Sequence, residues 1–232
     1  MARLQKLPTL SIIIPTLNEA SHLPLLFSDL NEWPYTFDLT IVDGGSKDST
    51  ISIAEIQGAN VIKSLKQNRG YQLSIGASKS SSDWLLFLHA DSRLEHGWVD
   101  NLLRIIQNKA SKNNLWYFDF KIKKNNLEFR ILEIAVAFRS YFLQRPYGDQ
   151  GLLIHKDLYF HLGGFSSLSI MEDLDLVTRI TKANKVRRIG ESIYTDDIKW
   201  TKSNIIKRAL KNAKLRKRWR QGYDVNDLSK EY

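Results

Sequence analysis

Short apolar runs alternate with segments of helical period through the first half of the chain. Leu10 to Ile14 has the length of a strand, and Ser21 to Trp33 then sets Leu23, Leu26, Phe27 and Leu30 at helical spacing. Asp38 to Val42 reads as a second strand that stops at Gly44-Gly45, and Asp48 to Gln57 as a helix. Val61-Ile62 is a short strand, Gln72 to Lys79 a helix, and Trp84 to Leu88 a strand running into His89-Ala90-Asp91. Gly97 to Gln107 is helical, with Trp98, Leu102, Ile105 and Ile106 on one face. Strands alternating with helices predict βαβ units and a parallel sheet, whose inner strands are covered on both faces and therefore short and apolar. The expected fold class is α/β, a single domain with a mostly parallel central sheet flanked by helices.

The second half is less regular. Leu115 to Ile122 is aromatic and β-prone, and Leu152 to Ile154 is a further strand candidate. Leu127 to Leu143 is apolar with helical character through Ile131, Ile134, Ala135, Phe138 and Phe142, and Glu172 to Ala183 reads as a helix.

Composition narrows the classes. A chain of 232 residues suits one domain with a small appendage. It contains no cysteine, which excludes a disulfide-stapled fold, a thiolate metal site and a cysteine nucleophile. No stretch reaches the ~18 apolar residues that span a bilayer, and no signal peptide is read, so a cytoplasmic location is expected. The net charge of +9 is a local feature. Lys199 to Arg220 holds ten Lys or Arg and no acid, and without it 24 bases face 25 acids. This tail, 199–232, carries a narrow stripe of Ile205, Ile206, Ala209, Leu210 and Ala213. It has three readings: a helix packed on the domain, an electrostatic contact with anionic membrane, or a contact with nucleic acid.

Ligands of open α/β sheets bind beyond the carboxyl ends of the strands. Three strand ends here carry polar clusters: Pro15-Thr16-Leu17-Asn18-Glu19, Asp43-Gly44-Gly45-Ser46, and His89-Ala90-Asp91-Ser92. Asp43 can bond a base or ribose hydroxyl; equally, Asp43 and Asp48 can cap the next helix. Asp91 suits Mg²⁺ or Mn²⁺ carrying a diphosphate, against the plainer reading of a turn aspartate. His89 alone reads better as a structural histidine, and Arg69 as either a phosphate partner or a solvated charge. Glu172-Asp173 either favours a helix dipole or supplies a general base. Arg179 faces solvent or phosphate.

Taken in order, SIIIPTLNEA, TIVDGGSKDST, NRGYQLSIGA, LLFLHADS, GDQG, LGGF and MEDLDLVTRI resemble family 2 glycosyltransferases of the GT-A fold, from Ser11 to about Ile180. Within that family the chain is similar to a bacterial subgroup associated with radical-SAM/selenodomain proteins and arsenosugar biosynthesis. That subgroup shares HAD in place of D-x-D, PYGDQG and an ending like GYDVNDLSKEY.

The resemblance implies a nucleotide-sugar half of about 8–110 and an acceptor half of about 111–198, followed by the basic tail. It implies that Pro15, Thr16, Asn18, Glu19, Asp43, Gly44, Gly45, Arg69, Ala90 and Asp91 bind a nucleotide sugar. It makes Asp173 the catalytic base with Glu172 beside it, and sets Gly148, Asp149 and Gln150 nearest the acceptor. Mg²⁺ or Mn²⁺ would sit on Asp91, with His89 a candidate second ligand. The activity implied is an inverting transfer from a UDP- or GDP-linked sugar to a hydroxyl. The acceptor would be a glycan, a lipid-linked molecule or a small molecule such as an arsenosugar precursor. Contact with anionic membrane at its inner face is an option, and no nucleic acid is expected. The alternative is a non-catalytic binding protein on a degenerate GT-A fold. A nucleotidyltransferase is disfavoured, because PTLNEA stands where a Gly-rich run would be needed.

Overall fold

The computed structural model describes residues 7–195 and 205–231, with side chains except at 205–210. Among the described residues one eight-stranded sheet runs in the order β3-β2-β1-β4-β7-β6-β8-β5. β1 (Leu10–Thr16), β2 (Asp38–Asp43), β3 (Asn60–Lys63) and β4 (Trp84–Phe87) are mutually parallel. Their connections hold α1 (Leu23–Leu30), α2 (Thr50–Ile56) and α3 (Arg69–Lys79), so the βαβ expectation holds. β1 is the inner strand of this half, and Leu10, Ile12, Ile13 and Ile14 are all buried. That is why its sequence shows no alternation: both faces need apolar cover. Each such side chain contributes roughly 1.5–3 kcal/mol of burial.

The chain leaves β1 to add β2 and β3 on one side, then returns to add β4 on the other. This reversal opens a crevice between the carboxyl ends of β1 and β4. α3 closes on that region tightly: a Cβ on Gly76 would lie 2.5 Å from Ile13 Cγ2, and one on Gly70 would lie 2.2 Å from the Ser166 carbonyl. Glycine is required at both places because the helix lies against β1 and against the backbone at Ser166 and Leu168.

The second half inserts antiparallel strands. β7 (Leu152–His155) pairs antiparallel with β4 and with β6 (Asn114–Ile122), and β8 (Lys185–Thr195) runs parallel to β6 with a bulge after Tyr117. β5 (Arg93–Leu94) caps the edge. The helices here are α4 (Trp98–Gln107), α5 (Leu127–Phe142), α6 (Lys156–His161), α7 (Glu172–Ile180), α8 (Ile205–Arg220) and α9 (Val225–Glu231). β5, α6 and β8 were not predicted. β8 reads KVRRIGESIYT, and only Val186, Ile189 and Ile193 are buried, so the apolar signal is too sparse for a period of two.

Two apolar layers sandwich the sheet, one under α1 and α4, the other under α3, α6 and α7. The basic helix α8 packs on the body. Leu215 and Leu228 of α9 are buried against Ile170, Met171 and Leu174. The expected stripe is corrected here: Ala213 is exposed and Leu215 is the anchor. Ile205, Ile206, Ala209 and Leu210, like the boundary at 198–199, lie outside the described side chains.

Candidate active site

The loops after β1 and β2 are laced to each other. Asn18 adopts φ 56°, a left-handed conformation that Asn tolerates, and its Oδ1 accepts from the Lys47 N–H at 2.8 Å. The Asn18 N–H donates to Ser46 Oγ, and the Glu19 N–H to Thr50 Oγ1, each at 2.8 Å. The Asp43 carboxylate is 1% exposed and accepts from Thr16 Oγ1, Ser46 Oγ and the N–H groups of Gly45 and Ser46. Burial pushes its pKa up, but these hydrogen bonds outweigh burial and hold it below the usual aspartate range. Asp43 therefore organises the turn from beneath. Neither carboxylate is the helix cap: Ser49 holds that position without a side-chain bond, and Asp48, one residue earlier, bonds the Thr50 N–H at 3.0 Å. Gln72 braces both strand ends by donating to the Thr16 and Val42 carbonyls at 3.1 and 2.7 Å.

Above these loops lies a cleft of about 270 Å³ lined by Pro15, Thr16, Glu19, Arg69, Ala90 and Asp91, with Gln72 and His89. Asn18, Asp43, Gly44 and Gly45 are outside its lining. A Cβ on Gly44 would lie 3.2 Å from Gln72 Nε2 and 3.3 Å from the Thr16 carbonyl, so the backbone here is closely approached by its neighbours.

A second cleft of about 370 Å³ joins the first through Arg69, His89 and Asp91. Asp173, Asp149, Arg139, Tyr147 and Arg216 line it. Asp173 stands at the start of α7 just after Met171, whose φ of 66° is unusual for a non-glycine residue. Its Oδ1 accepts from the Leu174 N–H and its Oδ2 from the Gly148 N–H, both at 2.7 Å. Each oxygen keeps a lone pair for a further partner. A Cβ on Gly148 would lie 3.0 Å from His89 Nε2 and 3.4 Å from Asp173 Oδ2, so the glycine lets these two groups crowd close to the backbone here.

Glu172 is turned away from both clefts. It is 1% exposed and ion-paired with Arg69, its Oε2 is buried without a hydrogen-bond partner, and burial raises its pKa against the pull of Arg69. Burial likewise raises the Asp149 carboxyl, with Arg139 opposing. Gln150 is consumed as a brace: its Oε1 accepts from Ser140 Oγ at 2.7 Å and Arg139 at 3.0 Å, and its Nε2 donates to the Phe118 carbonyl at 3.2 Å. Arg179 bonds Asp175 and the Leu162 and Gly164 carbonyls, holding the LGGF turn rather than a phosphate.

Asp91 is 7% exposed and its Oδ2 accepts from Thr195 Oγ1 at 3.3 Å. Among the described residues no group of three His, Asp or Glu stands at metal-ligating separation. The chemistry of Asp91, one carboxylate at the junction of both clefts, suits a hard divalent ion that completes its shell with phosphate oxygens and water.

Arg139, Tyr147, Thr195 and Arg216 were missed from the sequence. The signal for Arg139 was a lone cation inside IAVAFRSYF. Arg139 and Arg216 both lie over the Tyr147 ring, at 3.6 and 4.9 Å from its centroid. The basic helix thus contributes Arg216 to the cleft.

Solved structures share this arrangement of strands and helices. TarS 1–349 of S. aureus in complex with UDP superposes with a TM-score of 0.65 at 15% identity, covering 81% of this chain and 60% of that one. The mannosyltransferase PcManGT of Pyrobaculum calidifontis, in complex with GDP-Man and Mn²⁺, gives 0.62 at 16% identity, covering 83% and 57%. The fold is GT-A. A PGL/p-HBAD biosynthesis glycosyltransferase of Mycobacterium bovis is 34% identical over 128 residues, 51% of this chain and 49% of that protein. The match thus spans about half the length of that curated relative. Among the described residues no helix is long and apolar enough to cross a membrane. The model of "Glycosyl transferase family 2" matches residues 11–168, more than half of the chain, and the chain belongs to that family.

Proposed function

We propose that the chain is an inverting glycosyltransferase that moves a sugar from a nucleotide-diphosphate donor, UDP- or GDP-linked, to a hydroxyl acceptor. The observation that carries this reading is the position of Asp173 in the larger cleft, which shares Arg69, His89 and Asp91 with the smaller one, its carboxylate oriented by two N–H donors. The donor occupies the smaller cleft over Pro15, Thr16 and Glu19, and the acceptor enters past Tyr147 and Asp149. Asp173 takes the proton of the acceptor hydroxyl as that oxygen bonds to the anomeric carbon. The bond from that carbon to the diphosphate breaks, and the nucleoside diphosphate leaves with the electron pair. Asp91, with His89 as a second ligand, would hold Mg²⁺ or Mn²⁺, which supplies positive charge to the diphosphate. Arg69 adds a fixed cation at the same junction. TarS with UDP and PcManGT with GDP-Man and Mn²⁺ support the donor and metal classes. The acceptor is a glycan, a lipid-linked molecule or a small molecule such as an arsenosugar precursor.

The test is Asp173→Asn, assayed with UDP- and GDP-sugars and Mn²⁺. Transfer should fall by about 10²–10⁴, the worth of a positioned base, while calorimetric donor affinity persists. Turnover near wild type would overturn the assignment.

A further inference from the structure

α5 carries an apolar face that nothing among the described residues covers. Leu127, Ile131, Ile134, Phe138, Tyr141 and Phe142 follow one another at spacings of three, four or one, so they share one side of the helix. All six are exposed, Ile134 at 69% and Phe138 at 55%. The opposite side, with Phe129, Glu133, Val136 and Ser140, is buried against the body. From Ile131 to Leu143 the exposed positions bear no charge, although exposed helix faces ordinarily do. The buried side is apolar as well, with Phe129 and Val136 in the core, so the helix is apolar on both sides, and an exposed patch of this kind marks a docking surface.

We infer that this face of α5 seats on an anionic lipid surface. Charge selects that occupant over a second copy of the chain. Exposed Lys123 and Lys124 precede the helix, and Lys185 and Arg187 share a surface depression with Tyr141 and Phe142 at its far end. The carboxylate on the exposed side is Glu128 alone, since Glu133 is buried. Two such basic rims would repel each other across a two-fold interface, whereas phosphate headgroups complement both ends at once. Apolar and aromatic side chains between basic ends are the makeup of a helix lying in a bilayer interface. The geometry also gives the contact a use. Leu132, Val136 and Arg139 of the same helix wall the larger cleft, so docking brings that cleft to the lipid surface. The inference concerns binding alone and stands whether or not Asp173 is the base.

The test uses the full chain and vesicles of phosphatidylcholine with and without phosphatidylglycerol. Wild type should co-sediment with the anionic vesicles, weaken with salt, and stay with the supernatant of the neutral ones. Phe138→Trp should blue-shift its emission when anionic vesicles are added. The double variant Ile134→Glu with Phe138→Glu should lose binding by at least roughly tenfold, while its melting curve, read by circular dichroism, stays near wild type because both sites are exposed. Failure of wild type to bind, or equal binding by the double variant, would overturn the inference. So would a dimer in sedimentation velocity that the double variant dissolves without any vesicle binding, which would give the face to a second copy.

Discussion

The loops after β1 and β2 answer their own polar groups, whereas the turns around α7 leave some of theirs unanswered. On the β1–β2 side, Asp43 receives four hydrogen bonds from residues within its own turn and the adjoining strand end, and Asn18 and Thr50 tie one loop to the next. On the α7 side, Glu172 Oε2, Asp149 Oδ1 and Ser169 Oγ are buried without hydrogen-bond partners, and Met171 holds a left-handed backbone. Buried carboxylates of this kind cost stability and persist where function needs them. The first side is a rest in which two loops some thirty residues apart satisfy each other's polar groups. The second is also assembled by contacts distant in sequence, such as Arg69 with Glu172 and Gly148 with Asp173.

Substitutions can break or sharpen this contrast. The largest effect is the loss of transfer in Asp173→Asn, described above. Next is Arg69→Met, which strands the buried Glu172. Urea unfolding at pH 8 should show a loss on the order of 3–5 kcal/mol. The Glu172 pKa is already raised by burial and rises further without the cation, so its protonated form favours the folded state. The loss should therefore be small below the carboxyl's unfolded value of ~4.3 and grow as pH rises through the folded one. A loss independent of pH would remove Glu172 from the account. Leu215→Ala should lower stability by about 2–4 kcal/mol in a thermal melt if α8 is part of the core. An unmoved melt would make it a loose appendage. The smallest effect belongs to the self-satisfied side. Asp43→Asn should cost about 1–2 kcal/mol at neutral pH and flatten the acid limb of the stability curve. The native carboxylate's contribution is present above its unfolded pKa of ~3.9 and lost as pH falls through the lowered folded value. It should also weaken nucleotide binding by calorimetry, through the shape of the turn.

Legibility in the sequence follows the same divide. The β1 and β2 loops were readable because each is a short polar segment directly after an apolar strand, although the bonds that join them, such as Asn18 with Lys47, are long-range. α3 began earlier than its apolar period suggested, at Arg69, because Asn68 caps it by accepting the Tyr71 N–H. α5 was read as an apolar segment of helical character, and its Ile131, Ile134 and Phe138 prove to be exposed. Periodicity reports which residues share a side, and says nothing of what that side meets. Glu172 and Asp173 are adjacent in sequence, yet one is buried against Arg69 and the other lines the cleft.

The sequence by itself determined the alternation of strands and helices, and with it the gathering of three polar loops at one sheet edge, because parallel strands all end on the same side. Only the tertiary structure decided which carboxylate faces the cleft, that Arg216 of the basic helix enters it, and which face of α5 is left bare. Those outcomes rest on contacts between residues many positions apart, whose pairing is set by how whole elements pack and not by any local pattern of residue types.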